Sequence, residues 1–295
     1  MRLGIFAKTF PRATLEEVFD AVRAAGFPCV QFNFACAGLP TLPEDVGEAL
    51  SDRILEAAEN RGIDLVAVSG TFNTIDPNPA KRLSGLRSLR RLIEVAERMR
   101  IPLVTLCTGT RDPDNMWRRH PDNDTPSAWK DLVDSIRWVL GETETSRVAL
   151  GIEPEVANVV DSAAKCRRLL DEIGSPRLKV VMDGANLFHK GDLPRMREVL
   201  DEAFELLGAD MGLAHAKDLA RDGEAGDRAA GTGVLDYDYY LASLLRVGYH
   251  GPLVLHGLTE GEIPASIAFL QAKLGMTCQL QRTDLPRDSQ VQTGL

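Results

Sequence analysis

The sequence is poor in cysteine and has none of the cysteine spacings that metal or redox sites need. It contains five cysteines, an odd number, and no two of them stand in a CxxC arrangement. A disulfide framework and a zinc–thiolate cluster are therefore disfavoured. We expect a protein of the reducing cytoplasm.

Basic residues and long apolar runs are also scarce. The chain has 34 Lys and Arg residues against 43 Asp and Glu residues, which gives a net charge of −9. Binding to nucleic acid needs a basic surface, so we expect no nucleic-acid partner. No apolar run has membrane-spanning length, and the residues after Met1 show no signal-peptide pattern, so we expect no membrane partner. A small-molecule substrate fits this composition better.

Short apolar segments and helical segments alternate along the chain, eight of each. Apolar strands separated by helices indicate a parallel sheet that is covered on both faces. The first strand is followed by Lys8-Thr9-Phe10-Pro11 instead of GxGxxG, which disfavours a dinucleotide-binding fold. The sequence therefore predicts an α/β fold, a single (β/α)8 TIM barrel over residues 1–276, with a polar tail over residues 277–295.

Ionisable residues stand at the predicted carboxyl ends of the last four strands: Glu153, Asp183, His215 and His256. The successive gaps are 30, 32 and 41 residues, each about one β/α unit, so the four residues should share one arc of the barrel rim. Carboxylates and imidazoles together suit a divalent ion such as Mn²⁺, Co²⁺, Mg²⁺ or Zn²⁺. Each residue alone could cap a helix or pack at the rim, and it is the series of four that predicts one bound divalent metal ion.

Four motifs in a fixed order carry a resemblance to a known family. They are Gly-Ile-Glu-Pro-Glu at 151–155, Val-Met-Asp-Gly-Ala-Asn at 181–186, His-Ala-Lys-Asp at 215–218 and Gly-Thr-Gly-Val-Leu-Asp at 231–236. This series resembles the xylose-isomerase-like TIM barrels, and more narrowly their sugar phosphate isomerase/epimerase branch. The resemblance implies a metal held by Glu153, Asp183 and His215. At the fourth ligand position this chain has His256 where the family has Glu, and it has Asn186 where many members have His.

The resemblance also implies a reaction, proton transfer at a carbon next to a carbonyl, carried out in the family's epimerases by two metal-bound glutamates. This sequence keeps Glu153 and has His256 in place of the second glutamate, so these two are the predicted catalytic residues. His256 could ligate the metal as a neutral imidazole or act as a base. Glu155 and Glu260 could replace the missing glutamate, or could form a rim salt bridge and cap a helix, respectively.

Other polar residues near strand ends are predicted to contact the substrate. Lys217 and Asp218 follow the seventh strand, although they could also form a surface pair. Residues 108–126 form a long loop, and long loops in compact domains are often functional. An Arg over the barrel mouth can clamp a carboxylate or phosphate, and a Trp can stack on a sugar. The predicted substrate-binding residues are Gln31, Asn33, Arg111, Trp117, His120, Glu155, Asn186, Lys217 and Asp218.

Four functions remain open on the sequence. The first is a divalent-metal-dependent isomerase or epimerase of a sugar or sugar derivative. The second is a metal-dependent lyase, dehydratase or hydrolase of a keto-sugar on the same site, to which the His256 substitution adds weight. An endonuclease-type phosphodiesterase and a non-catalytic sugar-binding barrel are further alternatives. Barrels of this type often form dimers or tetramers, and the sequence leaves a homodimer and a homotetramer open.

Overall fold

Eight parallel strands close into a barrel with helices on the outside, which confirms the predicted (β/α)8 fold. The computed structural model describes residues 1–283, and of residues 277–283 the backbone alone. The strands are β1 (Arg2–Phe6), β2 (Cys29–Phe32), β3 (Asp64–Ser69), β4 (Leu103–Leu106), β5 (Ala149–Ile152), β6 (Leu178–Asp183), β7 (Met211–Asp218) and β8 (Pro252–Leu255). The helices are α1 (Leu15–Ala24), α2 (Glu48–Glu59), α3 (Pro79–Arg98), α4 (Pro126–Glu142), α5 (Ala163–Ile173), α6 (Met196–Leu207), α7 (Tyr237–Arg246) and α8 (Ile263–Thr283).

The barrel is closed by two pairings that join distant parts of the chain. Strand β8 lies between β1 and β7, with Leu3 opposite Leu253 on one side and His215 opposite Val254 on the other. Strand β6 pairs with β7 and with β5, so every strand of the barrel has two neighbours. All carboxyl ends therefore meet at one rim.

Side chains alternate between the barrel interior and the helix layer, and this alternation decides what reaches the rim. In β7, Leu213 belongs to the apolar cluster inside the barrel, whereas Ala214 and Ala216 belong to the core under the helices. Successive side chains of a strand point to opposite faces. His215 and Lys217 therefore point inward over Leu213, and Asp218 points the other way.

Several boundaries differ from the sequence prediction. Strand β7 was expected to end at Ala214 but continues to Asp218, because its last residues pair with a two-residue antiparallel strand at Arg228–Ala229. His215 therefore lies within the strand and not at its end. Helix α8 continues to Thr283, beyond the residue at which the polar tail was expected to begin, and residues 284–295 lie outside the described part of the chain.

Local sequence signals explain where the helices start. Thr14 and Glu17 have the spacing of a capping box, and helix α1 begins with one. The side chain of Thr14 accepts from the backbone N–H of Glu17, and the Glu17 carboxylate accepts from the backbone N–H of Thr14. Helix α4 begins with Pro126 in its first turn, after Thr125 as N-cap. Across residues 1–283, no helix combines the length and the apolar character needed to cross a membrane.

Candidate active site

Three of the four predicted metal ligands meet at the carboxyl end of the barrel. Each of Glu153, Asp183 and His215 offers one ligand atom, and these atoms lie within 4.8 Å of one another. The Nδ1 atom of His215 is 3.6 Å from Oε1 of Glu153 and 3.5 Å from Oδ2 of Asp183. Neighbouring strands β5, β6 and β7 bring them together because each residue occupies an inward-pointing position.

The geometry of these three side chains fits a divalent ion. Asp183 is completely buried, His215 is 2% exposed, and the buried Nδ1 of His215 makes no hydrogen bond with any described residue. A buried polar atom without a partner is costly unless something else satisfies it. Two carboxylate oxygens and an imidazole nitrogen are suitable ligands for Mn²⁺, Co²⁺ or Zn²⁺. Glu153, Asp183 and His215 are the residues that would hold such an ion.

Two amide side chains hold the candidate ligands in place. The Oε1 atom of Gln31 is 2.9 Å from Nε2 of His215. With Nε2 engaged there, Nδ1 is the ring atom that faces the carboxylates, an arrangement in which metal-binding histidines are commonly held. Asn186 donates to Oε1 of Glu153 at 2.6 Å and accepts from the backbone N–H of Gly226 at 2.9 Å. Gln31 and Asn186 were predicted to bind substrate, and the structure places their polar groups on the ligands.

Positive groups balance the buried carboxylates. Nζ of Lys217, which is 6% exposed, lies 3.0 Å from Oδ2 of Asp183. Burial alone raises the pKa of Asp183, but Lys217 and His215 outweigh it and hold that pKa below its usual range. Burial alone lowers the pKa of His215, but Glu153 and Asp183 outweigh it and raise the pKa to about 9. The cluster therefore has a strong preference for positive charge between its carboxylates.

His256 lies beside the three-residue cluster and contributes no atom to it. Its ring is stacked between two others, 5.1 Å from the ring of His215 and 4.6 Å from that of Phe6. Burial, and then the positive charges of His215 and Lys217, lower the pKa of His256 well below 6.5, so its imidazole is neutral at physiological pH. The structure thus places this residue as a packing neighbour of His215.

A cavity of about 420 Å³ opens in front of the cluster. One wall, from β5 to β7, carries Glu153, Glu155, His215 and Lys217. The opposite wall carries mainly amide and hydroxyl groups, with Lys8 near them; these groups belong to Gln31, Asn33, Thr41, Ser69, Thr71 and Thr105. A molecule bound in the cavity would therefore have most of the ionisable groups on one side and mainly hydrogen-bonding groups on the other.

The predicted substrate residues Asn33, Glu155, Trp117 and Lys217 all line this cavity. Glu155 is 8% exposed, and burial, followed by the charge of Glu153, raises its pKa to about 7. In contrast to the buried Glu155, Trp117 lies at the cavity mouth with 55% of its surface exposed. Asn33 uses its side-chain oxygen to accept from the backbone N–H of Ala35 and from the Thr41 hydroxyl.

Three predicted substrate residues do not reach the cavity. Arg111 turns away and donates to the backbone oxygen of Ile75 and to the Asp131 carboxylate. The ring of His120 caps a short helical turn, accepting from the backbone N–H of Asp122 at 3.2 Å. Arg111 therefore ties the long loop to Ile75 and to helix α4, and His120 caps a turn within the loop.

Asp218 is the third, and its role is structural in this fold. Because it points away from the barrel interior, its carboxylate accepts backbone N–H groups from Leu219, Gly231 and Leu235 at 2.9–3.1 Å. The side chain is 1% exposed and its carboxylate binds three N–H groups of the loop after β7, so this geometry gives the predicted contact of Asp218 with substrate no support, and the contact stays a prediction.

Several residues of the cavity were missed by the sequence prediction: Phe6, Lys8, Ser69, Thr71 and Thr105. Ser69 and Thr105 hold Gln31, whose Nε2 lies 3.2 Å and 3.4 Å from their hydroxyl oxygens. The available signal was the two-residue period of the strands, since Ser69 and Thr105 occupy inward positions near the ends of β3 and β4. Hydroxyl residues at strand ends are common, so this period does not by itself mark them as residues of a site.

Comparison with known proteins points to one family. The family model of the xylose isomerase-like TIM barrel matches residues 19–273. A 2-epi-5-epi-valiolone 7-phosphate 2-epimerase from an Actinoplanes species is 24% identical over 163 residues, which cover 55% of this chain and 54% of that protein. The matched region thus spans about half the length of that relative.

Solved structures show the same fold. A xylose isomerase domain protein from Planctomyces limnophilus superposes with a TM-score of 0.73 at 17% identity, covering 94% of this chain and 98% of the other. A 3-keto-D-glucoside 4-epimerase from E. coli gives a TM-score of 0.70 at 17% identity, covering 92% and 99%. At these identities the likeness establishes architecture.

Proposed function

The chain belongs to the xylose isomerase-like TIM barrel family, and we propose that it is a divalent-metal-dependent isomerase or epimerase of a sugar or sugar derivative. The observation that supports this most is the convergence of Glu153, Asp183 and His215 within 4.8 Å at the floor of a cavity with a hydrogen-bonding wall. A metal-binding corner facing amides and hydroxyls suits a polyhydroxylated substrate.

The names of similar proteins agree with this class of reaction. The matched protein is named a 2-epi-5-epi-valiolone 7-phosphate 2-epimerase, and one structural neighbour is named a 3-keto-D-glucoside 4-epimerase. Both names describe an epimerase. For this chain the reaction, its substrate and its need for metal are part of the proposal.

In the proposed reaction a proton leaves the carbon next to a carbonyl and returns to it or to its neighbour. A divalent ion held by Glu153, Asp183 and His215 would polarise the carbonyl oxygen as a Lewis acid. Glu153 takes the proton, because it is the cluster carboxylate that lines the cavity while Asn186 fixes one of its oxygens. Lys217 remains on Asp183 and keeps that carboxylate ionised.

The second acid–base group is the part of the mechanism that the family resemblance does not supply. It implies a glutamate after strand β8, where this chain has His256, whose neutral ring packs on His215. Its predicted roles as ligand and as catalytic residue remain predictions. Glu155 lines the same cavity and is the other carboxylate beside Glu153.

The experiment combines metal analysis with solvent isotope exchange. Protein purified without chelator should contain about one divalent ion per chain, and Glu153→Ala should lower that content and abolish deuterium incorporation from D₂O into a panel of ketoses. Asp134→Ala removes an exposed carboxylate paired with Lys130 and is the matched control. Absence of a divalent ion at micromolar concentration, or full exchange by Glu153→Ala, contradicts the proposal.

The second candidate, a metal-dependent lyase or dehydratase of a keto-sugar, is favoured by one observation. With an imidazole at the end of β8, the carboxylates of the cavity come from β5 and the residues just after it, on a single side. A lyase or dehydratase removes a proton from one face of the substrate and then releases water. This reaction needs no second carboxylate on the opposite side of the cavity. Water loss from a keto-sugar without isotope exchange in the recovered substrate distinguishes this function from isomerisation.

A further inference from the structure

We propose that the substrate of this site is an unphosphorylated, uncharged sugar derivative. This rests on the proposed function and narrows its substrate class. The observations come from the places where an α/β barrel would bind a phosphate, which are the loops after the seventh and eighth strands. Backbone N–H groups in such loops bind anions, so the question is which partners those groups already have.

The loop after β7 is already filled by an internal anion. The carboxylate of Asp218 accepts the backbone N–H groups of Leu219, Gly231 and Leu235 at 2.9, 3.1 and 3.0 Å. The packing around it is tight, since a Cβ atom on Gly233 would lie 2.3 Å from Oδ1 of Asp218. These three amides of the loop after β7 therefore bind the Asp218 carboxylate, and none of them is available to a phosphate.

The loop after β8 is also supplied with carboxylates. Glu262 accepts from the backbone N–H of Thr259 at 2.8 Å and from the Thr259 hydroxyl at 2.7 Å. Glu260 forms an ion pair with Arg12. A phosphate at the beginning of α8 would lie beside the carboxylates of Glu260 and Glu262, and like charges repel at short range.

The cations around the cavity are largely committed. Lys217 is paired with Asp183, and Arg111 points away from the cavity onto Asp131. Lys8 is the lining cation that makes no ion pair within residues 1–276. A single lysine at the mouth is a weak phosphate site, since tight recognition uses several donors or the fork of an arginine.

The wall opposite the cluster offers the complementary chemistry. Thr71 presents a hydroxyl group, the hydroxyls of Ser69 and Thr105 accept from Gln31 and can still donate, and Asn33 has its amide NH₂ group as a donor. Sugar hydroxyls need this mixture of donors and acceptors. The loops after β7 and β8 offer no free phosphate site, and this wall offers hydrogen bonds to hydroxyl groups. Together they favour a neutral sugar over its phosphate ester.

The test compares matched pairs of a free ketose and its terminal phosphate ester with metal-loaded protein. Deuterium incorporation from D₂O is measured for each member of a pair, and the shift in melting temperature caused by the same compounds is measured alongside. We expect kcat/KM for exchange to be at least about tenfold higher with the free sugar, which corresponds to about 1.4 kcal/mol. Inorganic phosphate at millimolar concentration should neither slow the exchange nor raise the melting temperature.

The outcomes separate this inference from the function on which it rests. Exchange that is equal or faster with the ester overturns the inference and leaves the isomerase proposal intact. If neither member exchanges, the isomerase proposal fails, and the melting temperatures decide the substrate class. Stabilisation by the free sugar alone supports the inference, whereas stabilisation by the ester, or by neither compound, overturns it.

Discussion

Neighbouring residues of β7 have opposite roles because of the two-residue period of a strand. Lys217 points into the cavity and pairs with Asp183, whereas Asp218 points outward and binds three backbone amides. The sequence motif His-Ala-Lys-Asp contains all of these residues but does not say where the strand ends. Once β7 is known to continue to Asp218, the direction of each side chain follows.

Replacing Asp218 should reduce stability before it affects chemistry. Asp218→Ala leaves the buried N–H groups of Leu219, Gly231 and Leu235 without their acceptor, which we expect to cost about 3 kcal/mol in the free energy of unfolding. Urea denaturation measures this, and Asp218→Asn, which keeps one oxygen acceptor, should cost less. If Asp218→Ala is instead as stable as the parent and has a raised KM, the predicted contact of Asp218 with substrate is supported.

His256 offers a second test at the level of single residues. Because its ring stacks on His215, His256→Phe should keep that packing and bind Mn²⁺ within about threefold of the parent, as measured by calorimetric titration. His256→Ala removes the ring and should weaken binding more by loosening His215. Loss of metal in His256→Phe by a factor of about one hundred would identify the imidazole as a ligand.

At the scale of elements, the interior of the barrel is crowded directly beneath the metal-ligand cluster. The inward position of β5 is Gly151, and a Cβ atom there would lie 2.7 Å from the side chain of Val181 and 3.3 Å from that of Leu103. Gly151 thus makes room for the residues of the neighbouring strands. This close packing positions Glu153, two residues further along the same face.

Gly151→Ala should therefore destabilise the barrel by about 1–3 kcal/mol, as other overpacked cores do. Gly141 is the matched control, because it lies in helix α4 with nothing within 4 Å of an added Cβ atom. Gly141→Ala should stabilise by about 0.5–1 kcal/mol through better helix propensity. Urea denaturation of both variants gives the comparison, and equal effects would mean that the interior can relax around Val181.

The elements themselves were largely predictable, and the exceptions have physical causes. The apolar run Pro252–Leu255 predicts strand β8 with the bounds it has, and the spacing of Thr14 and Glu17 predicts the capping box that forms. The sequence pattern predicts helix α2 from about Glu44, but the helix starts at Glu48, after a segment rich in Pro and Gly. Strand β7 is longer than its apolar run because its pairing with Arg228–Ala229 extends it, and such tertiary pairing is not visible in local composition.

The candidate site was predictable in part for the same reason. Glu153, Asp183 and His215 follow from strand order alone, since neighbouring parallel strands bring their ends together. Arg111 and His120 were predicted to bind substrate from residue type alone, whereas their partners in the structure are Asp131 of helix α4 and Asp122, which folding brings to them. The ring stack of Phe6, His256 and His215 joins the first and last strands, which no local pattern reveals.

For the whole molecule, the buried ligand cluster links metal binding to stability. An ion that binds the folded chain alone stabilises it by mass action, by about 2.7 kcal/mol at one hundred times its dissociation constant. We expect saturating Mn²⁺ to raise the melting temperature of chelator-treated protein by roughly 5 °C. Asp183→Asn should remove most of this shift in differential scanning calorimetry; an equal shift in that variant would place the ion elsewhere.

The pairing of β1 with β8 also has a consequence for the order of events as the chain is made. Leu3 cannot meet Leu253 until nearly the whole chain has been synthesised, and contacts between such distant residues slow folding. The residues of the metal cluster emerge earlier, and His256 arrives directly after the strand that closes the ring. A nascent chain could therefore gather its three ligands before the barrel is complete, and only the last strand would seal the cavity around them.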